Sequence, residues 1–201
     1  MVARFAPLDR LTTINNFSYL PSMPKFVAFL RAINVGGHTV KMELLKKLFE
    51  ALGFSKVETF IASGNIIFDS SSKNTQALEK KIEAHLKKSL GYEVATFIRS
   101  ASELAEIARY QPFPASELAK SRALYVGFLQ APPSSEAKKG LLSVDSKIER
   151  FHFHGRELYW LFLGTRFADS KFSGPLLEKT LGMPTTLRNA TTVKKLAEKY
   201  G

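Results

Sequence analysis

The sequence predicts an α+β protein, because segments typical of strands and helices follow one another in the order βαββαβ, and this order then occurs again. Runs rich in β-branched and aromatic residues indicate the strands, and regularly spaced leucines indicate the helices. Gly53 and Gly91 end two of the helical patterns, as residues that tolerate positive φ do. We therefore predict two tandem ferredoxin-like (βαββαβ) α/β sandwiches plus a C-terminal helix.

The first unit begins with an apolar run that stops abruptly at Arg31. Its predicted elements, in order, are strand 25–30, helix 40–52, strands 57–62 and 66–68, helix 78–90 and strand 94–98. The first of these helices is expected to bury one face, made of Val40, Leu44, Leu48 and Leu52. The segment Ser63-Gly64-Asn65 is a hairpin turn signal between the two middle strands.

A connecting helix over residues 100–108 follows, because Ser100 and Glu103 have the spacing of a capping box. The second unit is then predicted as strand 123–129, helix 134–142, strands 147–153 and 157–163, helix 176–181, strand 185–187 and a last helix over 193–200. Leu176 and Leu196 are expected on the apolar stripes of their helices. An alternating, half-buried strand is predicted for Tyr159, Trp160 and Phe162.

The segment Gln111-Pro112-Phe113-Pro114 interrupts the pattern and is the best candidate for a domain boundary. We expect a poorly ordered N-terminal extension over residues 1–22 and a first ferredoxin-like subdomain over 23–99. A connecting helix and Pro-rich linker over 100–121 then lead to a second such subdomain with the C-terminal helix over 122–201.

Composition restricts the possible functions. The chain of 201 residues contains no cysteine, which excludes disulfides, thiolate catalysis and cysteine metal sites and fits a cytoplasmic protein. No apolar run is long enough to cross a bilayer, so no membrane partner is expected. The net charge of +11 indicates phosphate-bearing partners, although the charge forms no basic tail and many lysines fall on polar helix faces.

Polar residues follow the first strand, where a glycine loop leads into a helix. Such a loop can hold an anion, because the first N–H groups of a helix have no intrahelical partner. In the predicted topology this loop lies at the same end of the sheet as the hairpin turn. The resulting first cluster consists of Arg31, Asn34, Gly36, Gly37, Lys41, Ser63, Gly64 and Asn65.

A second cluster is predicted at one end of the second sheet, where an arginine fork can bind a carboxylate or phosphate through two hydrogen bonds. We expect the Arg188 side chain to leave the core at the solvent end of its strand. This cluster consists of Arg166, Lys171, Arg188 and Asn189, with Arg122 nearby.

Several of these residues also have a structural interpretation. The two loop glycines fit a tight strand-to-helix turn, Ser63-Gly64-Asn65 fits a plain hairpin, and Asn189 fits a helix cap. His152 and His154 share one strand face with a spacing compatible with metal, yet no third ligand lies nearby in sequence, so no metal site is predicted.

The chain from residue 23 onwards resembles a bacterial family of domains of unknown function, number sixteen-ninety-seven. The resemblance rests on the segments FLRAINVGG (29–37), SGN (63–65) and RNATTV (188–193). Ala32 stands where the family usually has Gly, and Ala190 where it usually has Trp. The resemblance implies the paired ferredoxin-like architecture and supplies no activity.

Three functions are compatible with these patterns. The first is the binding of an anionic, phosphate- or carboxylate-bearing small ligand at the strand-end loops. The second is nucleic-acid binding, above all RNA, through the basic surface, although the strands that would present aromatics to RNA are buried apolar runs. The third is an enzyme with a cleft between the two units. No catalytic residue, reaction, cofactor or oligomeric state follows from the sequence.

Overall fold

The computed structural model of the protein describes residues 23–34, 37, 39–144 and 146–201, without the Phe167 side chain. Within these residues, strands and helices alternate in the predicted order. The elements are β1 (Lys25–Leu30), α1 (Met42–Ala51), β2 (Ser55–Thr59), β3 (Asn65–Asp69), α2 (Thr75–Leu90), β4 (Thr96–Ser100), α3 (Ala101–Arg109), α4 (Ala115–Leu118), β5 (Ala123–Phe128), α5 (Ser135–Leu142), β6 (Glu149–His154), β7 (Glu157–Phe162), a short 3₁₀ helix (Phe167–Asp169), α6 (Gly174–Leu181), β8 (Thr186–Asn189) and α7 (Ala190–Tyr200).

The strands form two four-stranded sheets, each made by one half of the chain. The first has the order β2-β3-β1-β4 and the second the order β6-β7-β5-β8. Every neighbouring pair is antiparallel. An α+β architecture with two antiparallel sheets and accompanying helices is therefore confirmed.

The apolar run of β1 explains how the sheets are covered, because alternate side chains of a strand point to opposite faces. Phe26, Ala28 and Leu30 join the outer core of the first half, beneath α1 and α2. Val27 and Phe29 point the other way, into a central core. A strand that is buried on both faces reads as a continuous apolar run rather than as an alternating one.

The central core joins the two halves, since it contains residues of both sheets. Its strand residues include Phe29 and Phe97 of the first sheet and Val126 and Phe128 of the second. Helices α3 and α7 pack into the same core. A third core, between the second sheet and helices α5 and α6, contains Trp160.

Local signals in the sequence account for several helix ends. The capping box at the start of α3 is present, with the Ser100 hydroxyl accepting from the Glu103 N–H and the Glu103 carboxylate accepting from the Ser100 N–H. Gly91 adopts a left-handed conformation at the end of α2. Among the described residues, no helix is long and apolar enough to cross a membrane.

Two residues predicted on apolar stripes are exposed, although Val40, Leu48 and Leu52 of the first stripe do pack against the outer core. Leu44 is 44% exposed, whereas Leu45 and Phe49 form the buried face of α1. Leu176 is 42% exposed, and its neighbour Leu177 is buried instead. In both helices adjacent apolar residues allow two overlapping stripes, and the packing of the helix against its sheet decides between them.

The prediction of a half-buried strand for Tyr159, Trp160 and Phe162 is also wrong. All three are buried, with at most 1% of their surface exposed. Strand β7 lies between β6 and β5, and the second sheet has the central core on one face and the third core on the other. A central strand of a sheet that is covered on both faces has no solvent-exposed side, so its side chains do not alternate between buried and exposed.

Candidate functional site

The two sheets touch through a pair of stacked rings. Phe29 of β1 and Phe128 of β5 lie with ring centroids 3.9 Å apart and planes 11° from parallel. An arginine lies beside each ring. The Arg188 guanidinium is 5.7 Å from the Phe29 centroid, and that of Arg99 is 5.4 Å from the Phe128 centroid.

The Arg188 side chain extends from β8 of the second sheet to residues of the first sheet. Its Nε donates to the Asn65 Oδ1 at 2.6 Å, and its Nη2 donates to the carbonyl oxygens of Leu30 and Ser63 at 3.0 and 2.8 Å. Its Nη1 donates to the Thr186 hydroxyl and to a backbone carbonyl of its own strand. The residue is 9% exposed, so the predicted position at the solvent end of the strand is wrong.

Arg99 makes the reciprocal set of contacts, from the first sheet into the second. Its Nε donates to the Glu157 carboxylate at 2.6 Å, and its Nη2 donates to the Leu129 carbonyl at 2.9 Å. Glu157 begins the strand after its hairpin just as Asn65 does, and Leu129 follows β5 just as Leu30 ends β1. Reciprocal contacts of this kind are the mark of an approximate two-fold relation between the halves.

The same relation extends to a carboxylate on one helix of each half. The Glu178 carboxylate of α6 accepts from the Thr185 N–H at 3.0 Å and from the Arg31 guanidinium, with 2.6 Å between Nη2 and Oε2. The corresponding carboxylate of α2, that of Glu83, accepts from the Thr96 N–H at 2.8 Å and from the Gln130 amide at 2.7 Å.

The two sides differ in charge, because the residues differ at two corresponding positions. Arg99 faces the carboxylate of Glu157, whereas Arg188 faces the neutral amide of Asn65. Arg31 stands where the other side has the neutral Gln130. The ion pairs of the described residues include none formed by Arg188. Burial lowers the pKa of Arg188 to about 10, which still leaves the side chain charged at neutral pH.

A cleft opens on the Arg188 side, between the two halves of the chain. We call it the Arg31 cleft; its volume is about 520 Å³. It brings together four residues of the two predicted clusters, Arg31, Asn34, Ser63 and Arg188. Its remaining walls are residues Leu30, Ala32, Ile33, Ala62, Gly174, Pro175, Glu178, Thr185, Thr186 and Leu187.

The loop after β1 is held by its own polar residues. The Asn34 side chain accepts from the Val40 N–H at 2.7 Å and donates to the Ala62 carbonyl at 3.3 Å, which ties this loop to the hairpin. Ala32 has φ of 55°, a left-handed conformation that disfavours a side chain. Glycine at this position, the residue expected from the family resemblance, would relieve that strain.

The hairpin side of the cleft is a tight turn. Gly64 has φ of 71°, and a Cβ there would lie 2.7 Å from the Ile33 Cγ2, so only glycine fits. The Ser63 hydroxyl accepts from the Asn65 side-chain amide at 2.8 Å. Asn65 itself is fully buried behind the turn, where it holds Arg188 rather than facing the cleft.

The other predicted residues lie elsewhere. Gly36 is outside the described residues, and Gly37 and Lys41 are exposed and do not line the cleft. Arg166 is exposed and pairs with Asp169, and Lys171 lies in the same loop before α6. Asn189 caps α7, accepting from the Thr191 N–H at 2.9 Å. The second predicted cluster is therefore divided, since Arg188 turns to the first sheet and Asn189 does not.

Sequence reasoning placed neither Glu178 nor Arg99 in the site. Glu178 carried no signal, because an acidic residue on an amphipathic helix normally marks its solvated face. Arg99 did carry one, a charged residue directly after the apolar pair Phe97 and Ile98 and before a helix cap. A charge within a buried strand requires partners, and these lie in the other half of the chain.

The two histidines of β6 contact an aromatic residue. The Tyr110 hydroxyl and the His152 Nε2 are 2.8 Å apart, and the Tyr110 ring stacks on His154 with centroids separated by 4.1 Å. Among the described residues, no group of three or more His, Asp or Glu side chains is placed to hold a metal ion.

Known proteins were compared with the chain. A family model described as "Protein of unknown function (DUF1697)" matches residues 23–159. A solved structure, that of the conserved bacterial protein SP0830 from Streptococcus pneumoniae, is similar with a TM-score of 0.73 and 23% identity, over 90% of this chain and 100% of that one. That similarity concerns the fold alone, and no curated protein matches the chain. The sequence resemblance is confirmed: the chain belongs to the DUF1697 family of proteins of unknown function.

Proposed function

We propose that the protein binds a small anionic ligand, bearing phosphate or carboxylate, in the Arg31 cleft. The observation that carries the proposal is the unbalanced positive charge of this cleft. Among the described residues, its lining contains two arginines, Arg31 and Arg188, and one carboxylate, that of Glu178. A buried cation without a counter-ion is costly, and an anion in the cleft would offset that cost.

The arginines would act in different ways. All five N–H donors of Arg188 are occupied by neutral acceptors of the protein, so it would attract the ligand through its charge without touching it. The Arg31 side chain is 39% exposed, and among the described residues its contacts use Nε and Nη2 towards Glu178, so its Nη1 is placed to bind the ligand. The ligand would compete with Glu178 for this guanidinium.

The proposal includes a ferredoxin-like topology for each half of the chain and a cytoplasmic location for the protein. The order β2-β3-β1-β4 with two helices on one face is the arrangement expected of a ferredoxin-like unit, and the second sheet repeats it. We infer two such units, with the cleft at their junction. A cytoplasmic location, where phosphorylated metabolites are abundant, fits the absence of cysteine from the sequence.

Nucleic-acid binding finds less support. An RNA-binding sheet of this kind presents aromatic residues on an open face. Here the first sheet is covered by the outer core on one side and by the central core on the other. Phe26, Phe29 and Phe68 are each at most 2% exposed. Retarded migration of mixed RNA or DNA in a gel shift at physiological salt would restore this alternative.

The test of anion binding is a thermal-shift titration with inorganic phosphate, pyrophosphate, sugar phosphates, nucleotides and di- and tricarboxylates, all at equal ionic strength. A ligand at about one hundred times its Kd stabilises the folded state by about 2.7 kcal/mol. For a chain of this size that raises Tm by roughly 5–10 °C. We expect the Arg31→Gln substitution, which installs the residue of the opposite side, to abolish most of this shift.

Two further variants sharpen the result. Asn65→Asp gives Arg188 the kind of carboxylate partner that Arg99 has, so it should weaken anion binding from behind the cleft wall. Arg166→Gln removes an equal charge from an exposed position and should leave the shift unchanged. A ligand-induced shift that survives Arg31→Gln and Asn65→Asp would place the ligand elsewhere.

A further inference from the structure

A second cavity lies between the end of α3, the start of β5 and helix α7. We call it the Arg122 cavity; its volume is about 540 Å³. The described residues that line this cavity differ from those that line the Arg31 cleft. The two approach each other where β8 joins α7, since Asn189 lines this cavity and Arg188 lines the cleft. The cavity forms because the chain turns away at Tyr110, where α3 ends in an extended conformation before the prolines.

The floor of the cavity is apolar. Its half-buried apolar side chains include Tyr110, Leu124 and Ala190, which also pack against the central core. Val126 and Val193 line the cavity as well but are at most 2% exposed. Tyr110, Leu124 and Ala190 therefore offer a ligand apolar contact surface.

The rim of the cavity is cationic. Arg109, Arg122 and Lys194 all line it, and all three are exposed. No Asp or Glu is found among the described residues that line the cavity. The ion pairs found in the described part of the chain involve none of the three cations. An apolar floor under three cations without acidic partners complements a molecule that is apolar at one end and anionic at the other.

We propose that the Arg122 cavity is a second binding site, for an organic anion with an aromatic or acyl body. The body lies against Tyr110, Leu124 and Ala190, and the anionic group meets Arg122 and Lys194 at the rim. This site differs in chemistry from the Arg31 cleft, where a compact anion is expected. Concave sites that combine an apolar lining with a few convergent polar groups are the usual form of small-molecule sites.

The probe for this proposal is 1-anilinonaphthalene-8-sulfonate, an aromatic anion whose fluorescence rises in apolar surroundings. We expect saturable binding to the folded full chain, which Arg122→Gln and Lys194→Gln each weaken roughly twofold to fivefold, the range for a partly screened charge. Ala190→Leu, which fills the cavity and leaves the rim charges in place, should abolish it. Circular dichroism melting checks that each variant is folded.

The controls separate this site from others. The uncharged analogue N-phenyl-1-naphthylamine should lose affinity in Ala190→Leu but not in Arg122→Gln. Arg166→Gln and Arg31→Gln should leave the binding of the sulfonate unchanged. Equal affinity in wild type, Arg122→Gln and Ala190→Leu overturns the proposal. So does an affinity lowered by Arg31→Gln alone, which would locate the probe in the Arg31 cleft and leave the proposed function standing.

Discussion

Arg188 combines two roles that are usually separate. It joins the halves through contacts with Asn65, Leu30 and Ser63, and it supplies the charge that distinguishes one side of the interface from the other. Its partners are carbonyl, amide and hydroxyl oxygens, which satisfy the hydrogen bonds of the guanidinium but do not neutralise its charge. The same side chain therefore stabilises the fold and contributes positive electrostatic potential to the cleft.

From these contacts we expect Arg188→Ala to destabilise the protein by at least about 3 kcal/mol, since it leaves several buried acceptors unpaired and a cavity behind them. Denaturant unfolding measures this loss. Leu196→Ala, at a fully buried position of α7, provides the scale, with an expected cost of about 2–5 kcal/mol. Arg166→Ala is the matched control, because its exposed ion pair is worth at most about 1 kcal/mol. A cost for Arg188→Ala no larger than that of Arg166→Ala would contradict the anchoring role.

At the scale of elements, helix α2 closes the free edge of the first sheet. Strand β4 is the last strand, so its outward N–H groups have no neighbouring strand. The carboxylates of Glu79 and Glu83 accept from the N–H groups of Ile98 and Thr96, each at 2.8 Å. Covered in this way, the edge cannot pair with a strand of another chain.

The Glu79 carboxylate makes this cover depend on pH. Burial raises its pKa above the ordinary value of 4.5, against the opposing effects of the Ile98 N–H and the charge of Arg156. The folded state therefore binds the proton more tightly than the unfolded state. The contribution of Glu79 to stability is fully present below the unfolded-state pKa and is lost as pH rises through the folded-state pKa.

We expect Glu79→Gln to remove this dependence. The free energy of unfolding of the variant, relative to wild type, should increase between about pH 4 and pH 8, because only the wild type must bury a charge at the upper end. Urea unfolding at several pH values measures the difference. Glu117→Gln, which removes a carboxylate of the short helix α4, is the matched control. A difference that stays constant over the whole range would show that the Glu79 carboxyl has the same pKa in both states.

The sequence predicted the positions of the strands and helices better than it predicted which of their residues are buried. Strand β1, the hairpin signal at Ser63-Gly64-Asn65 and the capping box of α3 all depend on neighbours a few residues away, which a local pattern records. The choice between Leu176 and Leu177 as the buried residue depends on what packs above the helix. That information lies in the fold, so a pattern with two adjacent leucines could not supply it.

For the whole molecule, the interface was hidden from sequence reasoning for the same reason. Arg188 and Asn65 are 123 residues apart in the chain, and Arg31 and Glu178 are 147 apart. Their residue types indicated polar sites at strand ends, and the Arg31 cleft does collect Arg31, Asn34, Ser63 and Arg188. The sequence left open whether the two clusters face one cleft, because it does not show that the Arg188 side chain extends into the other half.

This shared interface leads us to expect that the two halves unfold together. The central core takes side chains from both sheets and from α3 and α7, and the Phe29–Phe128 stack lies within it. Separating the halves would expose this core and leave two buried arginines without partners, so neither half should be stable alone. Trp160 is the only tryptophan and lies in the core on the far side of the second sheet, where its fluorescence reports the second half.

Under urea, the Trp160 fluorescence and the hydrogen exchange of peptides from β1 and β3 should give one common midpoint. Phe29→Ala, a change in the first half, should lower both midpoints equally, at a cost of about 3–5 kcal/mol. Leu44→Ala, on the exposed face of α1, should move neither by more than the cost of an ordinary surface substitution, about 0.5 kcal/mol. If Phe29→Ala lowers the midpoint of the β1 peptides and leaves that of Trp160 in place, the halves are independent domains. A site between them would then depend on how they dock, and not on the folding of the chain as one unit.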